Sequence, residues 1–163
     1  MNWTPGDLQA EHLEAMWAIN EEGLPGVGKV SLERLSLLRH YASHALGLWV
    51  DDDLVAFALC LPPNSAYDSL NYGWFNERYP NFLYIDRVAV STAWRSRGLG
   101  SALYLTVFDI AARLDVPVAA EVNTRPPNPG SLRFHQRHGF AAVGAIAHHD
   151  YEVVTLLRPN GQP

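Results

Sequence analysis

Residues 82–90 alternate as a strand, residues 95–100 read Arg-Ser-Arg-Gly-Leu-Gly, and an apolar stripe in steps of three and four runs on to Leu114. A chain with this succession must end a strand, turn sharply and start a helix within a few residues. The turn sets successive backbone N–H groups at a helix N-terminus, where a phosphate or pyrophosphate is favoured. Gly98 and Gly100 carry no side chain to hold an anion off the backbone, and both tolerate positive φ. Arg95 and Arg97 add positive charge at the same place. A phosphorylated ligand is therefore expected here.

The rest of the chain bounds what such a ligand can be. With 163 residues, 48% hydrophobic and 18% charged, the sequence is globular and fits a single domain over residues 1–163. Twelve basic residues stand against 17 acidic ones, for a net charge of −5, which argues against nucleic acid or an anionic membrane as the main partner. The single cysteine, Cys60, excludes an intrachain disulfide and a thiolate zinc site; its apolar surroundings predict a buried structural thiol. No apolar run reaches the roughly 18 residues of a membrane span. The N-terminus lacks the basic-then-apolar pattern of a signal peptide, so a soluble cytoplasmic protein is expected.

Asp7 is expected to cap a first helix bearing Leu13, Met16, Trp17 and Asn20 on one face. A Gly/Pro-rich loop over residues 21–28 follows, and Ser31 caps a second helix through Leu35, Leu38 and Ala42. Residues 46–50 and 54–61 read as a hairpin around Asp51, Asp52 and Asp53. Residues 62–81 read as a long aromatic-rich loop. After strand 82–90 and the helix with Leu99, Leu103, Val107, Ile110 and Leu114 facing the sheet, a strand is expected over 116–122 and a turn over 123–127. A short helix opens at Asn128 and closes before Gly139, which suits a left-handed residue. Residues 140–147 and 151–157 make a last hairpin. This order predicts an α/β fold with a mixed sheet and helices on both faces.

A Walker loop would need Gly-Lys-Ser/Thr five positions after its first glycine, and none exists. The dinucleotide fingerprint would need a small residue where Leu103 stands and a strand that begins the fold. A second segment decides between the remaining options: Asn128-x-x-Ser131-x-x-Phe134-His135-x-x-x-Gly139-Phe140 lies one strand and one helix downstream. Together with Arg95-x-x-Gly98-x-Gly100, it closely resembles the GNAT superfamily of acyl-CoA-dependent N-acyltransferases across most of the chain. The run from Asn71 through Trp74, Arg78 and Tyr84 to Arg87 further resembles a bacterial subgroup of that superfamily, which leaves the acceptor undefined.

The resemblance implies about seven strands with a splayed central pair, and acetyl-CoA as co-substrate with no metal. It places the coenzyme on Arg95, Ser96, Arg97, Gly98, Leu99, Gly100 and Ser101, with the pantetheine arm along the backbone of Val88, Ala89 and Val90. Asn128 and Ser131 would contact the coenzyme or brace the gap. The acceptor would be a small-molecule or peptide amine, and a homodimer is common in the superfamily.

Acyl transfer needs a neutral amine, whereas a lysine-type amine has a pKa near about 10.4. A carboxylate drains that proton and a general acid serves the departing thiolate. Strict alternation would put Asp86 on the face of Tyr84 and Val88, and Glu121 near the end of the next strand. Either is a candidate base, and either could instead hold a cationic substrate; an ion pair of Asp86 with Arg87 or Arg78 is the structural alternative. His135 stands where the family pattern usually has tyrosine, and is a candidate general acid. It could equally do no more than hydrogen-bond its helix. Tyr72, Trp74 and Tyr84 are candidate acceptor-binding rings, suited to an amine with an apolar body. Glu21 and Glu22 read as solvated loop charges. His148 and His149, adjacent on a hairpin, would face opposite ways and hold no common metal. A sensor domain that binds acyl-CoA without turnover is the competing reading, and a longer acyl donor a third.

Overall fold

A computed structural model describes residues 2–161. The elements are β1 (Thr4–Asp7), α1 (Leu13–Glu22), α2 (Leu32–Tyr41), β2 (His44–Val50), β3 (Asp53–Leu61), α3 (Leu70–Arg78), β4 (Leu83–Val90), α4 (Leu99–Leu114), β5 (Val118–Arg125), α5 (Pro129–Arg137), β6 (Ala141–Ala147) and β7 (Glu152–Arg158). The sheet is mixed, in the order β1-β2-β3-β4-β5-β7-β6. β1–β2, β2–β3, β5–β7 and β6–β7 run antiparallel, and β4–β5 runs parallel. The chain forms two compact units: residues up to Leu61 with Ser65–Tyr67 and Ile85–Val107, and Pro62–Asn64 with Asp68–Tyr84 and the residues from Phe108 onward.

In the first unit, β3 carries apolar side chains on both faces. Phe57 and Leu59 pack with Met16, Ile19, Leu35, Leu38 and Ala89. Ala56 and Ala58 belong to a separate cluster with Leu48, Leu99 and Leu103. Helices thus cover both faces of this part of the sheet, as the element order predicts. Ser31 caps α2 as expected, accepting from the Arg34 N–H at 3.1 Å. Cys60 is fully buried, and that burial pushes its thiol up to about 12.

Four expectations need correction here. Asp7 does not cap α1: it ends β1, an edge strand paired with β2 from Thr4↔Trp49 to Asp7↔Leu46. Thr-Pro-Gly-Asp has turn chemistry, but an edge position tolerates Pro because one side of the strand needs no ladder partner. Trp17 is 37% exposed and reaches back along the loop, its Nε1 donating to the Val30 carbonyl. On α4, Leu99, Leu103, Val107 and Ile110 are buried, whereas Leu114 is 53% exposed at the helix end and Ala111 takes the inward place. Asp86 does not follow strict alternation: its side chain meets that of Arg87, which consecutive residues on a regular strand cannot do because they project to opposite faces.

In the second unit, residues 62–81 are not one long loop. Ser69 caps α3, its hydroxyl accepting from the Tyr72 N–H at 3.3 Å. The aromatic residues of this segment gave no polar–apolar period, yet they bury one helix face. Tyr72 and Phe75 are fully buried against Phe82 and Tyr84, with ring centroids 5.2 to 6.2 Å apart. β5 runs past its expected end at Val122 to Arg125, because Asn123 and Arg125 find partners in Val153 and Glu152 of β7. The described β4–β5 register comprises Leu83↔Val118 and Tyr84↔Ala119. Gly139, with φ +90, follows α5 in the left-handed conformation expected of it.

No described helix is long and apolar enough to cross a membrane. Trp74 lies over Gly144 of β6 so closely that a Cβ there would meet its ring at 2.4 Å. Gly144→Ala should therefore cost about 1–3 kcal/mol of stability through overpacking. Adding Trp74→Leu should recover part of that loss; denaturant titration of the single and double variants measures both.

Candidate coenzyme and acyl-transfer site

The connection from β4 to α4 is an exposed turn containing two residues in the left-handed region, Ser96 at φ +61 and Gly98 at φ +85. Such turns gather successive N–H groups on one side. The first helical hydrogen bond of α4 runs from the Ala102 N–H to the Gly98 carbonyl, 2.9 Å. The N–H groups of Leu99, Gly100 and Ser101 precede it, so geometry denies them an acceptor within the helix. A Cβ at Gly98 or Gly100 would meet nothing within 4 Å. Gly100 also lacks a positive φ, so neither packing nor backbone conformation requires glycine there. Both glycines leave open room beside bare amides, which fits a pyrophosphate.

The two arginines are held differently from the expectation. Arg95 donates through Nη2 to the Glu22 carbonyl at 2.9 Å and through Nε to the Val90 carbonyl at 3.3 Å. Arg97 lies over the Trp94 ring, 4.9 Å from its centroid. Val88 and Val90 pack with Leu99 and Leu103, while Ala89 packs with the α1–α2 cluster.

Asp86 and Arg87 form a nearly buried pair, Nε to Oδ2 at 2.7 Å, with side chains 4% and 9% exposed. The Arg87 Nη1 also donates to the Asn20 Oδ1 and the Gly28 carbonyl, each at 3.0 Å. Tyr67 faces the same carboxylate; burial above all, and then the Asp86 charge, push its phenol up. This is the ion pair foreseen as the structural alternative for Asp86. Asn20, which the sequence placed on one face of the first helix with Leu13 and Met16 but gave no polar role, is fully buried and donates to the Gly28 carbonyl at 3.1 Å.

In the second unit the structure brings Tyr84 and Glu121 together: the phenol donates to Oε1. Tyr84 is 1% exposed, and Tyr72 donates its hydroxyl to the Pro62 carbonyl. Trp74 lies against Gly144, and the Arg78 guanidinium lies 4.2 Å from its ring centroid. A residue the sequence left unmarked, Tyr151, also feels Glu121. Burial first, then the charges of Glu121 and Asp150, raise its phenol pKa. Its ring stacks on His148 at 4.2 Å, and His148 Nε2 meets the Asn71 Oδ1 at 2.7 Å. The hairpin tip is thereby fastened to α3. Among the described residues, no group of three or more His, Cys, Asp and Glu side chains could hold a metal.

On α5, the Asn128 Oδ1 accepts from the Ser131 N–H at 3.3 Å and caps the helix. His135 is 5% exposed, and its Nδ1 lies 2.7 Å from the Ser131 carbonyl, with the Ser131 hydroxyl at 3.4 Å. A carbonyl only accepts, so the network assigns the proton to Nδ1, and the neutral ring has no proton on Nε2. Burial lowers the His135 pKa, outweighing the Ser131 carbonyl, which raises it. An imidazolium donor is thus disfavoured.

These features define an α/β protein with an open turn of bare amides at a helix start and a tyrosine-supported carboxylate. The family model described as "Acetyltransferase (GNAT) family" matches residues 11–140, and the chain belongs to that family. No curated protein sequence matches it. Its fold is shared with the ribosomal-protein-S18-alanine N-acetyltransferase of Escherichia coli, at 15% identity and TM-score 0.78, covering 99% of this chain and 96% of that one. It is also shared with Arabidopsis thaliana NAA60 in complex with a bisubstrate analogue, at 17% identity and TM-score 0.76, covering 99% and 100%. Arabidopsis thaliana Naa50 bound to the bisubstrate analogue CoA-Ac-MVNAL matches at 14% identity and TM-score 0.72, covering 96% and 98%.

The lowered His135 pKa carries a sign that can be measured. Below the ordinary imidazole range near about 6.5, the unfolded chain takes up a proton that folded His135 resists, so stability falls as pH falls. Denaturant titrations at pH 7.5 and 5.5 should show that loss in the wild type and a smaller loss in His135→Gln.

Proposed function

We propose that this protein is an N-acetyltransferase, transferring acetyl from acetyl-CoA to a primary amine by direct attack in a ternary complex, within one domain spanning residues 1–163. The observation that carries the proposal is the start of α4: bare amides beside two glycines, one of which, Gly100, no internal contact or dihedral requires. Family membership supports the same reading.

When bound, acetyl-CoA supplies the activated acetyl thioester. The amides of Arg97–Ser101 hold its pyrophosphate, and the backbone of Val88–Val90, downstream of the described β4–β5 register, takes the pantetheine arm as an added strand. Glu121 is assigned as the base. It accepts the ammonium proton, the amine nitrogen bonds to the carbonyl carbon, the C–S bond breaks to release the thiolate, and the second nitrogen proton leaves to that sulfur or to solvent, giving the neutral amide. The Tyr84 phenol orients Glu121, and Tyr151 lines the approach. Asp86 is assigned to structure, since Arg87 neutralises it. Asn128 and Ser131 serve the helix start, and the thiolate leaves without a proton from His135. The acceptor is a small amine or a peptide N-terminus; the peptide-bearing analogue in a structural neighbour supports the latter. A cytoplasmic location belongs to the same proposal.

The test is turnover on a panel of primary amines and short peptides, followed as thiol release, with calorimetry of acetyl-CoA in parallel. Glu121→Gln should lower kcat at least about tenfold while leaving acetyl-CoA affinity unchanged. Gly98→Val, strained at φ +85, should weaken acetyl-CoA binding about tenfold. Tight binding without turnover on any amine would favour the sensor; absence of binding would overturn the proposal.

A further inference from the structure

Glu22 is an acidic residue fastened to the one segment that should attract an anion. Its Oε1 accepts the Thr92 N–H at 2.9 Å, and its carbonyl accepts Arg95 Nη2 at 2.9 Å. The Thr92 N–H is the main reason its carboxyl pKa is lowered, with the Arg95 charge a lesser one. Glu22 is the last residue of α1, so its carbonyl is among those a helix end leaves unsatisfied, at the negative end of the helix dipole. The Arg95 guanidinium therefore caps α1 rather than standing free. Two residues earlier, Asn20 is fully buried and bonded to Arg87 and to the Gly28 carbonyl, which fixes the end of α1 in place. The chain from Asp86 to Arg95 is thus pinned at Arg87, Thr92 and Arg95 to one helix terminus, directly before the turn amides of residues 97–101.

We propose that Glu22 is a positioning residue for coenzyme binding: through Thr92 and Arg95 it sets the turn that presents the phosphate-binding amides. The inference rests on the acetyl-CoA reading of that turn. It predicts an effect opposite in sign to simple electrostatics. A carboxylate beside an anion site repels the anion, so its removal would ordinarily tighten binding. A carboxylate that shapes the site must weaken binding when lost, despite the relieved repulsion.

Calorimetry with coenzyme A as the probe separates the two. The wild type is titrated first; if it binds no coenzyme, the acetyltransferase reading falls and this inference with it. Given binding, Glu22→Ala should raise Kd by about tenfold or more, the scale of one charge-assisted hydrogen bond lost. Glu22→Gln, whose amide oxygen can still accept from Thr92, should bind within about twofold of the wild type. Thr92→Pro removes the N–H while keeping the carboxylate. The preceding Ser91, at φ −53 and ψ 139, already has the backbone that a following proline demands. This variant should weaken binding as Glu22→Ala does. Tighter binding in Glu22→Ala, or unchanged binding in Thr92→Pro, would overturn the role of Glu22 and leave the acetyltransferase reading standing. Thermal unfolding of each variant confirms that the exposed substitutions leave the fold intact.

Discussion

A guanidinium taken out of water must be answered by the protein, and the answer given to Arg87 sets the geometry of the first unit. Burying a charge is costly unless it is both paired and hydrogen-bonded. Here Asp86 supplies the opposite charge, while Asn20 and the Gly28 carbonyl accept from Nη1. The β4 strand and the segment from Asn20 to Gly28 meet at this one group. A Gly/Pro-rich segment that would otherwise move is consequently held at Asn20 and again at Gly28.

Two carboxylates on neighbouring strands end with different partners. Asp86 and Glu121 read alike in the sequence, as carboxylates on neighbouring strands. Folding separates them: one is neutralised by a permanent cation, the other takes a phenol hydrogen bond and raises the pKa of a second tyrosine. Environment thus gives one kind of side chain two different sets of partners.

How much of this was legible beforehand depended on the range of the interaction. The hairpin around Asp51–Asp53, the capped start of α2, the glycine turn before α4 and the Gly139 stop all rest on local backbone chemistry, and each stands where the pattern put it. α3 did not show itself, because its buried face is made of aromatic rings whose partners, Phe82 and Tyr84, lie outside the segment. β1 was hidden by Pro5, which a strand accepts at a sheet edge, and by Gly6, which weakens a strand signal. The site divides in the same way. Its glycine turn is a local motif, but the Tyr84–Glu121 contact spans 37 positions and the Glu22–Thr92 contact 70, and no periodicity encodes such pairs. For adjacent Asp86 and Arg87 the alternation put the side chains on opposite faces, and it was the alternative reading, an ion pair, that the structure shows.

The buried thiol on β3 has a practical corollary. Cys60 is the chain's only cysteine, and in the folded state it is both shielded and protonated. A thiol in that condition does not react with labelling reagents, because the thiolate is the nucleophile. Each molecule therefore carries a single intrinsic reporter that stays dark while the sheet is intact and becomes labelled once β3 opens. The rate of that labelling reads the opening of the core directly, with one signal per chain and no engineered probe.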